Sequence, residues 1–323
     1  MADIVCLGEV LIDFVSLESG VSLVEAPSFK KAAGGAPANV AVGLARLGHS
    51  VGFVGKVGQE SFGDFLVNTL ADNHVDVSGI ARDHNARTML AFVSLAANGE
   101  RDFMFYRHPS ADMTLTPAEI PEDLVANARI FHYGSISLIS EPCRSATLHA
   151  VKIAKEHGAM TSYDPNLRLG LWESEKQARQ GMLEGMRFAD VLKINEEELE
   201  FLTGINDLED GAKSLIDYGV SLVLITLGEK GCYFSSASGQ EMVPGNPVQA
   251  VDTTGAGDSF VAALLSGLFE QNTLQQPFTV PEASILKGIC QFANAAGAIT
   301  SLSRGAIPSL PTRDLVEEFL AHS

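Results

Sequence analysis

The sequence predicts an α/β protein: a mostly parallel central sheet with helices on its faces and a small β-sheet protruding from it. Three observations carry that reading. Short apolar runs alternate with longer stretches of helical period. Breakers such as Pro27, Pro109, Pro142, Pro165 and Pro244 fall between those stretches. Two segments, near 11–31 and 87–107, depart from the alternation and read as strands with short connections, rich in Val, Phe, Thr and Met.

Main-sheet strands are expected at 3–7, 50–57, 130–133, 160–163, 191–194 and 222–226. Helices are expected over 38–47, 62–73, 141–157, 173–187, 196–202, 208–218, 256–270 and 281–301. In Arg101-Asp-Phe-Met-Phe-Tyr-Arg107, strand geometry puts Phe103 and Phe105 on one face and Asp102, Met104 and Tyr106 on the other. Both irregular segments lie between pieces of the large domain, so a lid sheet inserted in the α/β core is the economical arrangement. An extra edge hairpin on the main sheet is the alternative. A single domain over 1–323 is expected, with its lid formed from roughly 11–31 and 87–107.

Composition narrows the function. At 323 residues the chain is long for one compact core and short for three. Its 46% apolar and 19% charged residues are an ordinary globular mix. The net charge of −18, with no Lys/Arg cluster, argues against nucleic-acid binding. Any phosphate site must therefore be built locally, from backbone dipoles and a few cations. Cys6, Cys143, Cys232 and Cys290 are scattered, with no CxxC pair and no His at ligand spacing, as in a protein with reduced, packed thiols. The N-terminus runs into a strand without a basic leader, and no apolar run approaches a membrane span. A cytoplasmic protein is expected.

Polar residues gather after the strands: Gly134-Ser135, Asp164-Pro-Asn166, Asn195-Glu-Glu-Glu198 and Leu227-Gly-Glu-Lys230. In open parallel sheets, ligands bind outside the carboxyl ends of strands, so one crevice lined by all four is expected.

Asp252-Thr-Thr-Gly-Ala-Gly-Asp-Ser-Phe260 leads into an apolar helical stretch. Gly255 and Gly257 let the backbone turn tightly, so that successive N–H groups point at one anion. The helix N-terminus adds unpaired donors and about half a positive charge. An acidic side chain there is a poor phosphate ligand but suits a general base: Asp258, within reach of an alcohol, takes its proton as oxygen attacks phosphorus. Helix capping is the bland alternative. Two Thr, two Gly and two Asp in seven residues outweigh it.

Ala33-Gly-Gly-Ala-Pro-Ala-Asn39 precedes another helix; its double glycine permits close backbone approach and Asn39 offers donors and acceptors to hydroxyls. Alone it reads equally as a turn before a helix. Glu198, one helical turn beyond Asn195, is spaced to orient Mg2+ through its hydration water; an acidic first turn complementing the helix dipole is the alternative. Neither a Walker A loop nor a dinucleotide fingerprint is present.

Over essentially its whole length the sequence resembles the ribokinase/pfkB family of carbohydrate kinases. Gly34-Gly-Ala-Pro-Ala-Asn-Val-Ala41 with Leu44-Ala-Arg-Leu-Gly48 resembles the family's first signature, and Asp252-Thr-Thr-Gly-Ala-Gly-Asp-Ser-Phe260 its second. Finer features resemble fructokinases: Gly8-Glu-Val-Leu-Ile-Asp13, Arg101–Arg107, Pro109-Ser-Ala-Asp-Met113, Tyr163-Asp-Pro-Asn-Leu-Arg168 and Glu198-Leu-Glu-Phe-Leu-Thr-Gly204. Ala262-Ala263, where many relatives carry a glycine, and Gln59-Glu-Ser61 depart from the pattern.

The resemblance implies a ribokinase-like three-layer sandwich with a β-sheet lid, and ATP-dependent transfer of the γ-phosphate to a sugar CH2OH, with O6 of D-fructose the leading acceptor. It implies sugar contacts from Asp13, Gly34, Gly35 and Asn39, with Phe103 closing from the lid. Arg168 would reach the transferring phosphate or the sugar. Asn195 and Glu198 would serve Mg2+ and the phosphates; Thr226, Gly228 and Asn294 would line the nucleotide site. Gly255, Ala256 and Gly257 would form the anion hole around the base Asp258. Asp252, Thr254, Thr300, Ser303, Gly305 and Ser309 align with a monovalent-cation loop, implying K+ beside ATP and Mg2+. Ribose, an aminoimidazole riboside, a nucleoside or 2-keto-3-deoxygluconate are alternative acceptors. A kinase-like regulator without turnover is the alternative of a different class, against which the intact Asp258, Gly255 and Gly257 weigh. Because an apolar two-sided lid is costly to expose, a homodimer paired through that sheet is expected.

Overall fold

Parallel strands buried on both faces read as continuous apolar runs, and β1 (Ile4–Leu7) is one. Its Ile4 and Cys6 enter one hydrophobic core, Val5 and Leu7 the other. The structure is a computed structural model describing residues 2–96, 101–271 and 278–322. Residues 97–100, within the second strand-rich segment, and the side chains of Arg101 and Asp102 lie outside what it describes.

Along the chain follow β2 (Leu11–Gly20), β3 (Phe29–Gly34), α1 (Ala36–Arg46), β4 (Val51–Gly58), α2 (Ser61–Asp72), β5 (Asp76–Asp83), β6 (Leu90–Ala96), β7 (Arg101–Tyr106) and α3 (Glu122–Ala126). Next come β8 (Ile130–Gly134), α4 (Cys143–Glu156), β9 (Met160–Asp164), α5 (Glu175–Met186), β10 (Val191–Asn195), α6 (Glu196–Thr203), α7 (Leu208–Asp217) and β11 (Leu222–Thr226). The chain continues through β12 (Gly231–Ser236), β13 (Gly239–Pro244), α8 (Ala256–Glu270), α9 (Ala283–Thr300), α10 (Ala306–Ser309) and α11 (Arg313–Ala321).

Nine strands form the central sheet in the order β13-β12-β11-β10-β9-β8-β1-β4-β5. Among the described residues, only β12 and β13 run antiparallel to their neighbours in it. Residues of α1, α2, α8, α9 and α11 pack into the core on one face of the sheet, and those of α3 to α7 into the core on the other. This is an α/β architecture of three layers. The sequence did not anticipate β5, the β12–β13 hairpin or α11. Strand β13 lies at the sheet edge, where one side of the ladder needs no apolar run, while β12, one strand in, is paired on both sides and buried.

The second sheet has four strands in the order β3-β2-β6-β7, and among the described residues none pairs with the nine-stranded sheet. Its β2 and β6 are parallel, whereas β2–β3 and β6–β7 are antiparallel. Phe14 on β2 stacks on Phe92 at 5.0 Å and meets Phe62 of α2 edge-on at 5.8 Å, which ties the small sheet to the main body. Leu17, Phe103, Met104 and Tyr106 of this sheet are exposed.

Candidate active site

The strand order reverses at β1, with β4 and β5 to one side and β8 to β11 to the other. Open α/β sheets bind ligands outside the strand ends at such a point. The ends of β8 to β11 adjoin there: Gly134 pairs with Asp164, and Asn195 with Thr226.

Above this edge lies the N-terminus of α8. Gly255 precedes the helix in the left-handed region, at φ 81°, and no side chain caps it. The helices α6 and α7, by contrast, are capped by Asn195 and Asp207. Ala256 N in that turn donates to Thr253 O at 3.2 Å, and with no side-chain cap the N–H groups of Gly257 and Asp258 are open to an external acceptor. Close packing requires Gly255, where a Cβ would lie 2.7 Å from that of Ala306, while one on Gly257 would stand a tight 3.2 Å from Lys193 Nζ.

Asp258, in the first turn, is buried and accepts a 2.7 Å hydrogen bond from Asn39 Nδ2 of α1. Asn166 Nδ2 stands 3.5 Å from its other oxygen. Burial lifts the Asp258 pKa to about 6; the Asn39 bond opposes that rise, Asp164 adds to it, and Lys193 and Arg168 oppose it. One turn further along both helices, a Cβ on Gly43 would sit 2.7 Å from Ala262 Cβ. The two signature segments, far apart in sequence, therefore meet along α1 and α8.

On the small sheet, Asp13 lies against Gly34, where a Cβ would come within 2.1 Å of Asp13 Oδ2. Gly35, at φ 109°, leaves no room for a side chain over the Glu9 carbonyl. Buried Glu9 accepts from Ala36 N at 3.1 Å, fixing the loop that carries Gly34 and Gly35; burial raises its pKa to about 7. Its place at the end of β1 was not foreseen as part of the site.

Asp164 was expected to line the crevice, whereas its partner Lys193 escaped the sequence reading. Lys193 and Asp164, on adjacent strands, form a buried ion pair at 3.0 Å. The only sequence signal was a single charge inside the apolar run of β10. Glu198 is buried, accepting from Leu167 N at 2.7 Å and Asn195 N at 3.0 Å, while Asn195 Oδ1 accepts from Glu198 N. Its pKa is raised by burial, against the pull of Lys193. Each carboxylate oxygen keeps a lone pair for a water.

Thr226 Oγ1 donates to Ile194 O at 3.2 Å, and Gly228 turns the chain just beyond at φ 60°. Asn294 of α9 donates to the carbonyls of Val243 and Pro244 on β13. Asp252 accepts from Thr254 N and Oγ1 through one oxygen and from Gly305 N, at 2.9 Å, through the other. Thr300 Oγ1 bonds within α9 to Ala296 O, Ser303 is exposed, and buried Ser309 Oγ has no partner among the described residues. The buried oxygens Asn39 Oδ1 and Asp164 Oδ1 are likewise unpartnered. Orphaned oxygens around an uncapped helix end fit a site built for polar ligands and cations.

Phe103, stacked on Phe105 with ring centroids 5.9 Å apart, and Arg168 line a cavity of about 960 Å3 between β7 and the 167–171 loop. Asp258 and Asn39 are not among its walls. Arg168 is exposed and donates to Leu167 O at 2.9 Å.

Residues 1–313 match the family described as pfkB family carbohydrate kinase. The chain is 54% identical to fructokinase-1 of Oryza sativa subsp. japonica, over 96% of this chain and 94% of that protein. A fructokinase from Xylella fastidiosa with bound ATP superposes with a TM-score of 0.90 at 33% identity, over 100% of this chain and 99% of that one. A fructokinase double mutant from Vibrio cholerae O395, bound to fructose, ADP and potassium ion, gives a TM-score of 0.86 at 33% identity, over 99% and 98%.

Proposed function

Because the chain belongs to the pfkB family and is a carbohydrate kinase, we propose that it phosphorylates O6 of D-fructose from ATP, with Asp258 as the general base. The observation that carries this reading is the 2.7 Å bond from Asn39 to buried Asp258, which joins a hydroxyl-binding loop to an uncapped helix end. Fructokinases from a plant and from two bacteria, similar over nearly the full chain, support fructose as the acceptor.

In this reading Asp13, Gly34, Gly35 and Asn39 hold the sugar hydroxyls, while Phe103 and the small sheet close over the sugar as a lid. Asn39 fixes the Asp258 carboxylate, which takes the hydroxyl proton. The N–H groups around Gly255, Ala256 and Gly257 hold the transferring phosphoryl group, and Arg168 adds positive charge from the rim. Asn195, Thr226, Gly228 and Asn294 line the nucleotide side. Mg2+, oriented through water by Glu198, would neutralise charge on the phosphates. A monovalent cation, K+, would be held by Asp252, Thr254, Thr300, Ser303, Gly305 and Ser309. The protein would work in the cytoplasm as a homodimer; among the described residues no helix is long and apolar enough to cross a membrane.

The test is ATP consumption, with Mg2+ and K+ present, across D-fructose, D-ribose, D-glucose, 2-keto-3-deoxygluconate, aminoimidazole riboside and adenosine. Turnover is expected to be strongest on fructose. A stronger response to another acceptor would overturn the specificity and leave the chemistry standing.

A further inference from the structure

We propose that Lys193 is a positioning residue for phosphoryl transfer, its buried ammonium keeping Asp258 ionised among neighbouring carboxylates. The inference rests on Asp258 being the base. Along β10, Leu192 and Ile194 enter the core on the α3–α7 side, and Val191 the core on the α8 side. Strand alternation therefore turns Lys193 toward α8. Its Nζ pairs with Asp164 at 3.0 Å and packs so closely under Gly257 that a Cβ there would stand 3.2 Å away.

Several groups face Asp258: Asn39 from α1, Asp164 and Asn166 from the end of β9, Arg168 from the loop beyond, and Lys193 from β10. Of the two cations, Arg168 is exposed and its charge is screened by water, whereas Lys193 is buried. The 3.0 Å ion pair with buried Asp164 offsets the burial of the Lys193 ammonium and holds it charged. In the transfer, the acceptor oxygen bonds to the γ-phosphorus as the bond from phosphorus to the bridging oxygen breaks. The bridging electron pair leaves with ADP and the hydroxyl proton passes to Asp258. A protonated Asp258 accepts nothing, so whatever holds it ionised sets the rate near neutrality.

The experiment is the pH profile of kcat/KM for the sugar at saturating ATP, in the wild type and in Lys193→Met, Lys193→Arg, Asp164→Asn and Asp258→Asn. Without the ammonium, the acid limb of Lys193→Met moves up by about one to two pH units, a loss of about two- to tenfold at pH 7 that recovers by pH 9. Lys193→Arg keeps the limb in place. Asp164→Asn, which removes a carboxylate and keeps the ammonium, moves it to lower pH, and decides the matter if Lys193→Met does not fold. A limb that stays put in a folded Lys193→Met or Asp164→Asn, with any loss uniform across pH, overturns the proposal. Asp258→Asn separates the two ideas: near-wild-type turnover there defeats the base itself, whatever Lys193 does.

Discussion

Asp258 stands between opposed influences. Burial pushes its carboxyl toward the neutral acid, while the Asn39 amide and nearby cations favour the carboxylate. With a pKa lifted to about 6, the group is ionised at neutral pH yet more basic than an exposed aspartate, which suits proton abstraction. With Asp258 as the proposed base the ionised form is the active one, so kcat/KM should rise with pH through about 6 and level off above it. Asp258→Asn should lower kcat by about 100- to 10,000-fold and abolish that limb; a variant turning over near the wild-type rate refutes the assignment. Asp258 and Asn39 stood out in the sequence because glycines crowd around them. Asp164 was legible as a polar strand end, but Lys193 was not, because one charge in an apolar run reveals nothing until its neighbouring strand is known.

At the scale of elements, α1 and α8 act as one unit. Asn39 and Gly43 are four residues apart on α1, as are Asp258 and Ala262 on α8, so the hydrogen bond and the tight packing contact share a face of each helix. Gly43→Val would wedge the pair apart. Overpacking of this kind costs about 1–3 kcal/mol, so a lower Tm and a lower kcat are expected together, although the added side chain touches no reacting atom. Unchanged thermal unfolding and rate would show that the helices part without consequence. The parallel strands β1, β4 and β8 to β11 were legible because burial on both faces demands continuous apolar runs. Strand β13, with alternating exposure at the sheet edge, and β5, with several polar residues, carried no such demand.

At the scale of the molecule, the four-stranded sheet presents apolar side chains to water. Leu17, Met104 and Tyr106 are 53%, 44% and 56% exposed. A second copy pairing through this sheet would cover them. Sedimentation at micromolar concentration should return a dimer, and Leu17→Asp with Tyr106→Glu should return a monomer. A monomeric wild type would sink the idea.

The bond from Asn39 to Asp258 spans 219 residues of chain. A protein emerging from the ribosome displays Asn39 and its double glycine early, while Asp258 is added only when nearly four-fifths of the chain has been made. With Asp258 as the proposed base, the nascent chain cannot spend ATP before α8 emerges and docks on α1. Because so distant a contact forms only when the intervening sheet has assembled, catalytic competence serves as a readout of completed folding.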